Sequence, residues 1–157
     1  AAHAGRAADL GAGVGYLSAA LLERCPGLAS LDLYEAEKRA LDLARQNLAG
    51  RQAGVALDFL WHDVTRGLPR RYDTIVSNPP FHRGRQARSD LGQAFIAAAA
   101  AALAPGGSFW LVANRHLPYE TALREGFAEL RTAADEGGYK VIEARAARAG
   151  GTGGRRS

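Results

Sequence analysis

The sequence predicts an α/β fold in which a mostly parallel sheet of seven strands carries helices on both faces. Segments with the two-residue apolar period of strands alternate along the chain with segments of the 3.6-residue helical period. Such alternation gives parallel strands joined by right-handed crossovers. The length of 157 residues is that of one ordinary domain, so we expect a single sheet.

The first half of the chain gives four strands and two helices. The first helix carries Leu17, Ala20 and Leu21 on one face, and it stops at "CPG" because proline and glycine end helices. The segment "VALDFLW" alternates as a strand, and "YDTIVS" is a buried strand that ends at an asparagine. The predicted strands cover residues 6–10, 28–34, 55–61 and 72–77, and the predicted helices cover 13–24 and 36–48.

The second half continues the pattern and ends in a hairpin. An alanine-rich stretch predicts a helix that closes at "APGG", and "SFWLVAN" is a near-continuous apolar strand of the kind buried on both faces. The turn "EGG" joins the last two strands and makes them antiparallel. The predicted helices cover 89–104 and 118–130, and the predicted strands cover 108–114, 131–135 and 139–146. The result is a Rossmann-like, doubly wound sheet over residues 1–149 with a disordered basic tail at 150–157.

Composition excludes several classes of protein. Charged residues make up 23% and hydrophobic residues 47%, and no apolar run reaches the roughly 20 residues of a membrane span. The N-terminus lacks the pattern of a secretory signal, and a single cysteine allows no internal disulfide, so we expect a cytoplasmic protein. The spacing among His3, His62, His82, His116 and Cys25 resembles no metal site.

The stretch "DLGAGVGYLS" places three glycines between the first strand and the first helix. Gly11, Gly13 and Gly15 form G-x-G-x-G, whereas a dinucleotide fingerprint would require glycine at Tyr16. The glycines let a ligand approach the backbone closely. Asp9 precedes them and can reach an amino group rather than a phosphate. A tight turn without a ligand is the alternative.

Two further acids end strands on the same side of the predicted sheet. Glu35 follows the second strand, where a carboxylate can accept hydrogen bonds from both hydroxyls of a ribose. The alternative is an acid that stabilises the first turn of the next helix. Asp63 ends the third strand and can accept from an adenine amino group, while His62 beside it is interpreted as a rim or packing residue. These positions favour an adenosine-bearing cofactor.

The fourth strand ends at the stretch "SNPPF", in which two consecutive prolines make the backbone stiff. Pro79 and Pro80 lack backbone N–H donors and have a fixed φ, so they hold Asn78 and the neighbouring carbonyls still. In a doubly wound sheet, ligands bind beyond the carboxyl ends of the strands where the strand order reverses. We therefore expect strands one and four to be neighbours, and the polar residues and glycines at the strand ends to surround one crevice. These residues are Asp9, Gly11, Gly13, Glu35, Asp63 and Asn78.

Arginine supplies most of the formal charge of +4, and it is concentrated around that stretch. Its planar fork suits phosphate, although a solvated basic surface is the alternative. The six arginines near the crevice are Arg66, Arg70, Arg71, Arg83, Arg85 and Arg88.

Together these motifs resemble the class I S-adenosylmethionine-dependent methyltransferases. More narrowly, "SNPPFH", "LVANRHLPYE" and "YKVIEAR" resemble the catalytic domain of the bacterial ribosomal RNA guanine-N2 methyltransferases of the methyltransferase small domain group, over roughly residues 5–146. The resemblance implies S-adenosylmethionine as cofactor, bound by Asp9, Gly11, Ala12, Gly13, Glu35, Ala36, Asp63, Val64 and Asn78.

The resemblance also implies a mechanism and partners. The Asn78 oxygen and the Pro79 carbonyl would accept the two N–H groups of the target amine, Pro80 would hold them in place, and Phe81 would stack on a flipped base. Ribosomal RNA or the small ribosomal subunit is the implied partner, with an N-terminal companion domain that this chain lacks. Phosphate contacts are expected from Arg83, Arg85 and Arg88, and the base pocket from Asn114 and Tyr119.

Two other functions remain open on the sequence. The first keeps the chemistry but changes the substrate to the N6 of a DNA adenine or to a protein glutamine amide, where the aromatic residue after "NPP" is more often tyrosine. The second is a noncatalytic RNA-binding module that keeps the fold without its donor.

Overall fold

The computed structural model describes residues 5–51, 54–79, 85–114 and 119–148, with the backbone alone for 85–90. The strands are β1 (Gly5–Leu10), β2 (Leu28–Glu35), β3 (Ala56–Trp61), β4 (Tyr72–Ser77), β5 (Leu103–Asn114), β6 (Phe127–Glu136) and β7 (Tyr139–Ala147). The helices are α1 (Tyr16–Arg24), α2 (Lys38–Asn47), α3 (Arg85–Ala102) and α4 (Glu120–Gly126), with a short 3₁₀ turn at Val64–Arg66. The predicted tail lies outside the described residues.

The seven strands form one sheet in the order β3-β2-β1-β4-β5-β7-β6. Pairing is parallel from β3 to β5 and antiparallel between β5, β7 and β6. The order reverses between β1 and β4, which are neighbours as the sequence predicts. The predicted doubly wound, Rossmann-like fold with an antiparallel hairpin is therefore confirmed.

Helices cover the two faces of the sheet and bury a core on each. Neighbouring residues of β2 point to opposite faces. Leu33 therefore packs with Ala44 of α2 and with Leu48 directly after it, whereas Tyr34 packs in the core beneath α3. Both residues are fully buried. Burial on both faces explains why the central strands read as nearly continuous apolar runs.

The helix predictions that differ most from the structure at their ends are those for α3 and α4. We expected α3 from residue 89, but it begins at Arg85, because Arg, Gln and Ala are good helix formers and no breaker stands between residues 85 and 91. We expected a helix over 118–130, but α4 ends at Gly126 and β6 begins at Phe127. The Phe127 ring is buried and stacks on Phe109 with ring centroids 5.7 Å apart, and this packing outweighs the local helical pattern.

The hairpin between β6 and β7 is confirmed. Gly137 and Gly138 connect the strands with φ of 63° and 82°. Two consecutive positive φ values define the turn that matches the twist of a hairpin, and glycine adopts them without strain. Among the described residues, no helix combines the length and the apolar composition that crossing a membrane requires.

Candidate active site

A cavity of about 360 Å³ opens at the carboxyl ends of β1 and β4, where the strand order reverses. Its wall is lined by Asp9, Gly11, Ala12, Gly13, Val14, Tyr16, Leu17, Glu35 and Asn78. The structure thus brings six of the predicted site residues together around one opening. Tyr16 is the first residue of α1, and its ring is 82% exposed at this cavity.

The glycine turn is held from two sides. The backbone N–H groups of Gly11 and Ala12 both donate to the Tyr34 carbonyl at 2.9 Å, and the Asn47 side chain at the end of α2 donates to the Val14 carbonyl at 2.9 Å. Gly11 has a φ of 71°, which a residue with a Cβ rarely adopts. The turn is therefore fixed to β2 and α2 before any ligand binds.

Glu35 stands where β2 meets the cavity. Its Oε1 accepts the Gly13 backbone N–H at 2.8 Å, and its Oε2 accepts the Glu37 N–H at 2.9 Å. Each carboxylate oxygen has two lone pairs, so both oxygens keep acceptor capacity. The backbone bonds orient the carboxylate, and the remaining lone pairs suit a ligand with hydroxyl groups.

Asp9 forms the buried end of the cavity. It is 1% exposed, and its Oδ2 accepts a hydrogen bond from Ser18 Oγ at 2.7 Å. Burial raises the pKa of the Asp9 carboxyl to about 7; the Ser18 hydrogen bond opposes this shift, and the charge of Glu35 adds to it. Sequence reasoning missed Ser18, whose only signal is its position on the buried face of α1.

Asn78 supplies the polar group on the other wall. It follows β4, its side chain is exposed, and it lines the cavity. Ser77 Oγ donates to the Leu10 carbonyl at 2.7 Å, which fastens the end of β4 to β1, and Pro79 is buried. The amide therefore projects from a fixed strand end, while Pro80 and Phe81 lie outside the described residues.

The charge of the cavity is negative. Among the described residues that line it, the carboxyl groups are those of Asp9 and Glu35, and none is Lys, Arg or His. A ligand that carries a cationic group and hydroxyls complements these side chains, whereas a phosphate would face two carboxylates. Among the described residues, no group of three His, Cys, Asp or Glu side chains is arranged to hold a metal ion.

Three predicted cofactor-binding residues are not among those that line this cavity: Ala36 follows β2, and Asp63 and Val64 follow β3. Asp63 Oδ1 accepts the Thr65 backbone N–H at 2.9 Å and its hydroxyl at 2.7 Å, and these bonds hold the pKa of Asp63 below its usual range. Val64 is 3% exposed in the core, and the Ala36 carbonyl accepts the Trp61 indole N–H at 2.8 Å. These residues lie in the segments that follow β2 and β3, beside the residues of the cavity wall.

His62 is a packing residue, in line with its interpretation from the sequence. Its Nε2 lies 2.7 Å from the Gly67 carbonyl oxygen. Its ring meets the Tyr34 ring edge-on with centroids 5.5 Å apart. The contact closes the loop after β3 over the core.

The arginine cluster divides into two groups. Arg70 donates to Asp32 and Asp58 at 2.9 Å each, and Arg71 donates to the Leu103 carbonyl at 3.3 Å. These two guanidinium groups have partners within the protein. The backbone places Arg85 and Arg88 in the first turns of α3, and Arg83 lies outside the described residues.

Tyr119 is not among the residues that line this cavity, and its expected place in the base pocket stays a prediction. It is 3% exposed and belongs to the core cluster beneath α3. A Cβ added at Gly92 would lie 2.1 Å from the Tyr119 ring, so the ring packs directly against the helix backbone. Asn114 ends β5 and is half-buried. Tyr119 thus fixes α3 to the start of α4.

Comparison with known proteins gives consistent matches. The family model described as the methyltransferase small domain matches residues 1–143. A curated relative, the ribosomal RNA small subunit methyltransferase C of Shewanella piezotolerans, is 36% identical over 137 residues, which are 87% of this chain and 39% of the relative. The chain therefore spans about two fifths of the length of that relative.

Solved structures match over most of the chain. The T. thermophilus 16S rRNA N2 G1207 methyltransferase, solved in complex with AdoMet and guanosine, is 34% identical with a TM-score of 0.74, over 90% of this chain and 37% of that one. An O-methyltransferase from Thermotoga maritima has a TM-score of 0.73 at 18% identity, over 94% of this chain and 62% of that one, and so shows the fold alone. The family model covers nearly all of the described residues, and the chain belongs to the methyltransferase small domain family.

Proposed function

We propose that this protein is an S-adenosylmethionine-dependent methyltransferase that modifies the exocyclic N2 amine of a guanine in small-subunit ribosomal RNA. The observation that carries the proposal is the single cavity in which Asp9, the glycine turn, Glu35 and Asn78 meet. It joins a site for a cationic, hydroxyl-bearing ligand to an exposed amide on a fixed strand end.

The cofactor fits the charges and donors of the cavity. The remaining lone pairs of Glu35 accept the ribose hydroxyls, and Asp9 accepts the amino group of the methionine part. Two carboxylates also favour a ligand whose reactive centre is a positively charged sulfonium. In this arrangement the adenine extends toward the loops that contain Ala36, Asp63 and Val64.

The transfer step follows from the acceptors on the Asn78 wall. A guanine amine is a poor nucleophile because its lone pair is delocalised into the ring. If the Asn78 Oδ1 and the Pro79 carbonyl each accept one N–H, the lone pair turns toward the methyl group. The N–CH₃ bond then forms as the S–CH₃ bond breaks, its electron pair stays on sulfur, and the nitrogen releases a proton to solvent. Positioning of this kind supplies up to roughly 7 to 11 kcal/mol of a barrier.

The substrate assignment is supported by relatives and by charge. The curated relative is a ribosomal RNA methyltransferase, and the T. thermophilus neighbour was solved with guanosine. Phe81 would stack on the target base, with Pro80 stiffening the loop, and Arg83, Arg85 and Arg88 would contact phosphates. A companion domain would complete the RNA-binding surface, and the protein would act in the cytoplasm, where ribosomal RNA is processed.

The test is to incubate the chain with methyl-labelled donor and, in parallel, with ribosomal RNA, small subunits, DNA or total protein. We expect label in small-subunit RNA, which after digestion appears by mass spectrometry as N2-methylguanine. Label in N6-methyladenine or in methylglutamine would replace the substrate assignment. A chain that gives no heat with S-adenosylmethionine in calorimetry would be a noncatalytic module, and the proposal would be wrong.

A further inference from the structure

Ser18 is a fully buried polar residue to which the transfer step assigns no role. It is 0% exposed in the first turn of α1, and its hydroxyl donates to Asp9 Oδ2 at 2.7 Å. A buried hydroxyl group requires a hydrogen-bond partner. A hydroxyl at this position is explained by the carboxylate it faces.

Few groups surround the Asp9 carboxylate. Ser18 faces it from α1, and the charge of Glu35 reaches it from β2. The residues beside Asp9 on the neighbouring strands are Leu33 and Val76, which are apolar. Among the described residues, no cation acts on the pKa of this carboxylate. The charged form is favoured by two hydrogen bonds from Ser18, of which the one from the hydroxyl has the larger effect and the one from the backbone the smaller.

We propose that Ser18 is a positioning residue that keeps Asp9 charged and aimed into the cavity, and that it thereby sets the lower pH limit of cofactor binding. The inference rests on the proposed function, because it takes the amino group of the cofactor as the partner of Asp9. A protonated carboxyl has one acceptor site fewer and no charge, so an ammonium group binds it poorly.

The sign of the effect follows from linkage. The pKa of Asp9 in the free protein is raised to about 7, so near neutral pH part of the protein must lose a proton before it binds the cofactor. Affinity therefore rises with pH through that region and levels off above it. The Ser18 hydrogen bond lowers this pKa, so its removal shifts the limit to higher pH.

The experiment measures binding of S-adenosylhomocysteine, which keeps the amino and ribose groups and does not react. Calorimetry across acidic to alkaline pH, in buffers of different ionisation enthalpy, gives the affinity and the protons released. For the unaltered chain we expect release of about half a proton at pH 7. For Ser18→Ala we expect the lower pH limit of binding (the acid limit) to move up by about one pH unit. Binding should be about tenfold weaker below this limit and near normal above it.

Two controls separate this role from a structural one. Ser108→Ala removes another buried serine hydroxyl, one that accepts the Trp110 indole N–H at 3.1 Å in β5, outside the cavity. It should keep the pH limits of the unaltered chain. Asp9→Asn removes the titrating group, so its weaker binding should no longer change across the acid limit. The upper pH limit belongs to the amino group of the ligand, which loses its charge in alkaline solution, and it should stay in place in all variants.

The outcomes are distinguishable. A shifted acid limit in Ser18→Ala alone supports the inference. Weaker binding by the same factor at every pH, with the limit unmoved, would show that Ser18 is merely structural and would overturn the inference while leaving the cofactor assignment intact. An unaltered chain that binds no S-adenosylhomocysteine at any pH would contradict the proposed function itself.

Discussion

The two walls of the cavity are built in different ways. On the glycine-turn wall, backbone groups are already paired: Gly11 and Ala12 donate to the Tyr34 carbonyl, and Gly13 donates to Glu35. On the opposite wall, Asn78 is exposed at the end of β4, and the next residue, Pro79, is buried. One wall is preformed by hydrogen bonds, and the other presents an amide from a stiff support.

This difference indicates that the two walls are suited to different ligands. A wall whose donors and acceptors are fixed in advance binds a ligand without a large ordering cost. An exposed amide on a strand end can offer its oxygen to a partner that arrives from outside. The glycine-turn wall is thus suited to the cofactor, and the Asn78 wall to the substrate amine. Variants of the two walls should therefore fail in different ways.

The largest effect is expected from Asn78→Ala. Loss of the acceptor leaves the target amine unaligned, which should reduce methyl transfer by about a hundredfold or more. The dissociation constant of S-adenosylhomocysteine should stay within a factor of about three of the original. Single-turnover transfer and calorimetry measure the two quantities. An equal loss of both would remove the distinction between the walls.

Glu35→Ala should show the reverse pattern. It removes the proposed ribose acceptor and the partner of the Gly13 N–H, and hydrogen bonds to a charged group contribute about 1.5 to 3 kcal/mol. Cofactor affinity should fall by roughly ten- to a hundredfold. Glu37→Ala is the matched control, since that neighbouring side chain does not line the cavity. An unchanged dissociation constant in Glu35→Ala would place the ribose elsewhere.

Gly92→Ala tests the packing of α3 on Tyr119, away from both walls. The new Cβ would meet the Tyr119 ring at 2.1 Å, and overpacking of this kind costs about 1 to 3 kcal/mol, offset in part by better helix propensity. Thermal unfolding should show lower stability. Gly126→Ala is the control, because its nearest neighbour would lie at 3.5 Å. Equal melting temperatures for the two variants would mean that α3 does not pack closely on Tyr119.

The smallest effect is expected from Asn47→Ala. It removes the hydrogen bond to the Val14 carbonyl, which contributes about 0.5 to 1.5 kcal/mol, so cofactor affinity should fall less than about tenfold while transfer from bound cofactor is unchanged. Titration with S-adenosylhomocysteine measures the loss. A larger fall in transfer than in affinity would couple the glycine turn to the substrate wall and contradict their separation.

The part of the fold that local periodicity determines was predictable from the sequence. The alternation of strands and helices predicted the parallel part of the sheet. The reversal of strand order between β1 and β4 predicted that Asp9 and Asn78 lie at one cavity, as they do. The capping of the turn at Val64–Arg66 by Asp63 was not anticipated, because a carboxylate after a strand has the same sequence pattern whether it meets a ligand or caps a turn.

Side-chain partners distant in sequence were the main omission. Arg70 was grouped with the candidate phosphate contacts, yet it pairs with Asp32, which lies 38 residues earlier. Ser18 and Asp9 meet only because α1 folds back over β1. Apolar periods fix which face a residue occupies, but they do not identify the polar group that faces it across the packed elements.

The most direct measurement is a crystal structure of the chain with S-adenosylmethionine bound. We expect the ribose on Glu35, the amino group on Asp9, and the sulfonium methyl facing the Asn78 oxygen across the cavity. A ligand bound away from the glycine turn, or an Asn78 amide turned away from the sulfonium, would contradict the assignment of one wall to the cofactor and the other to the substrate amine.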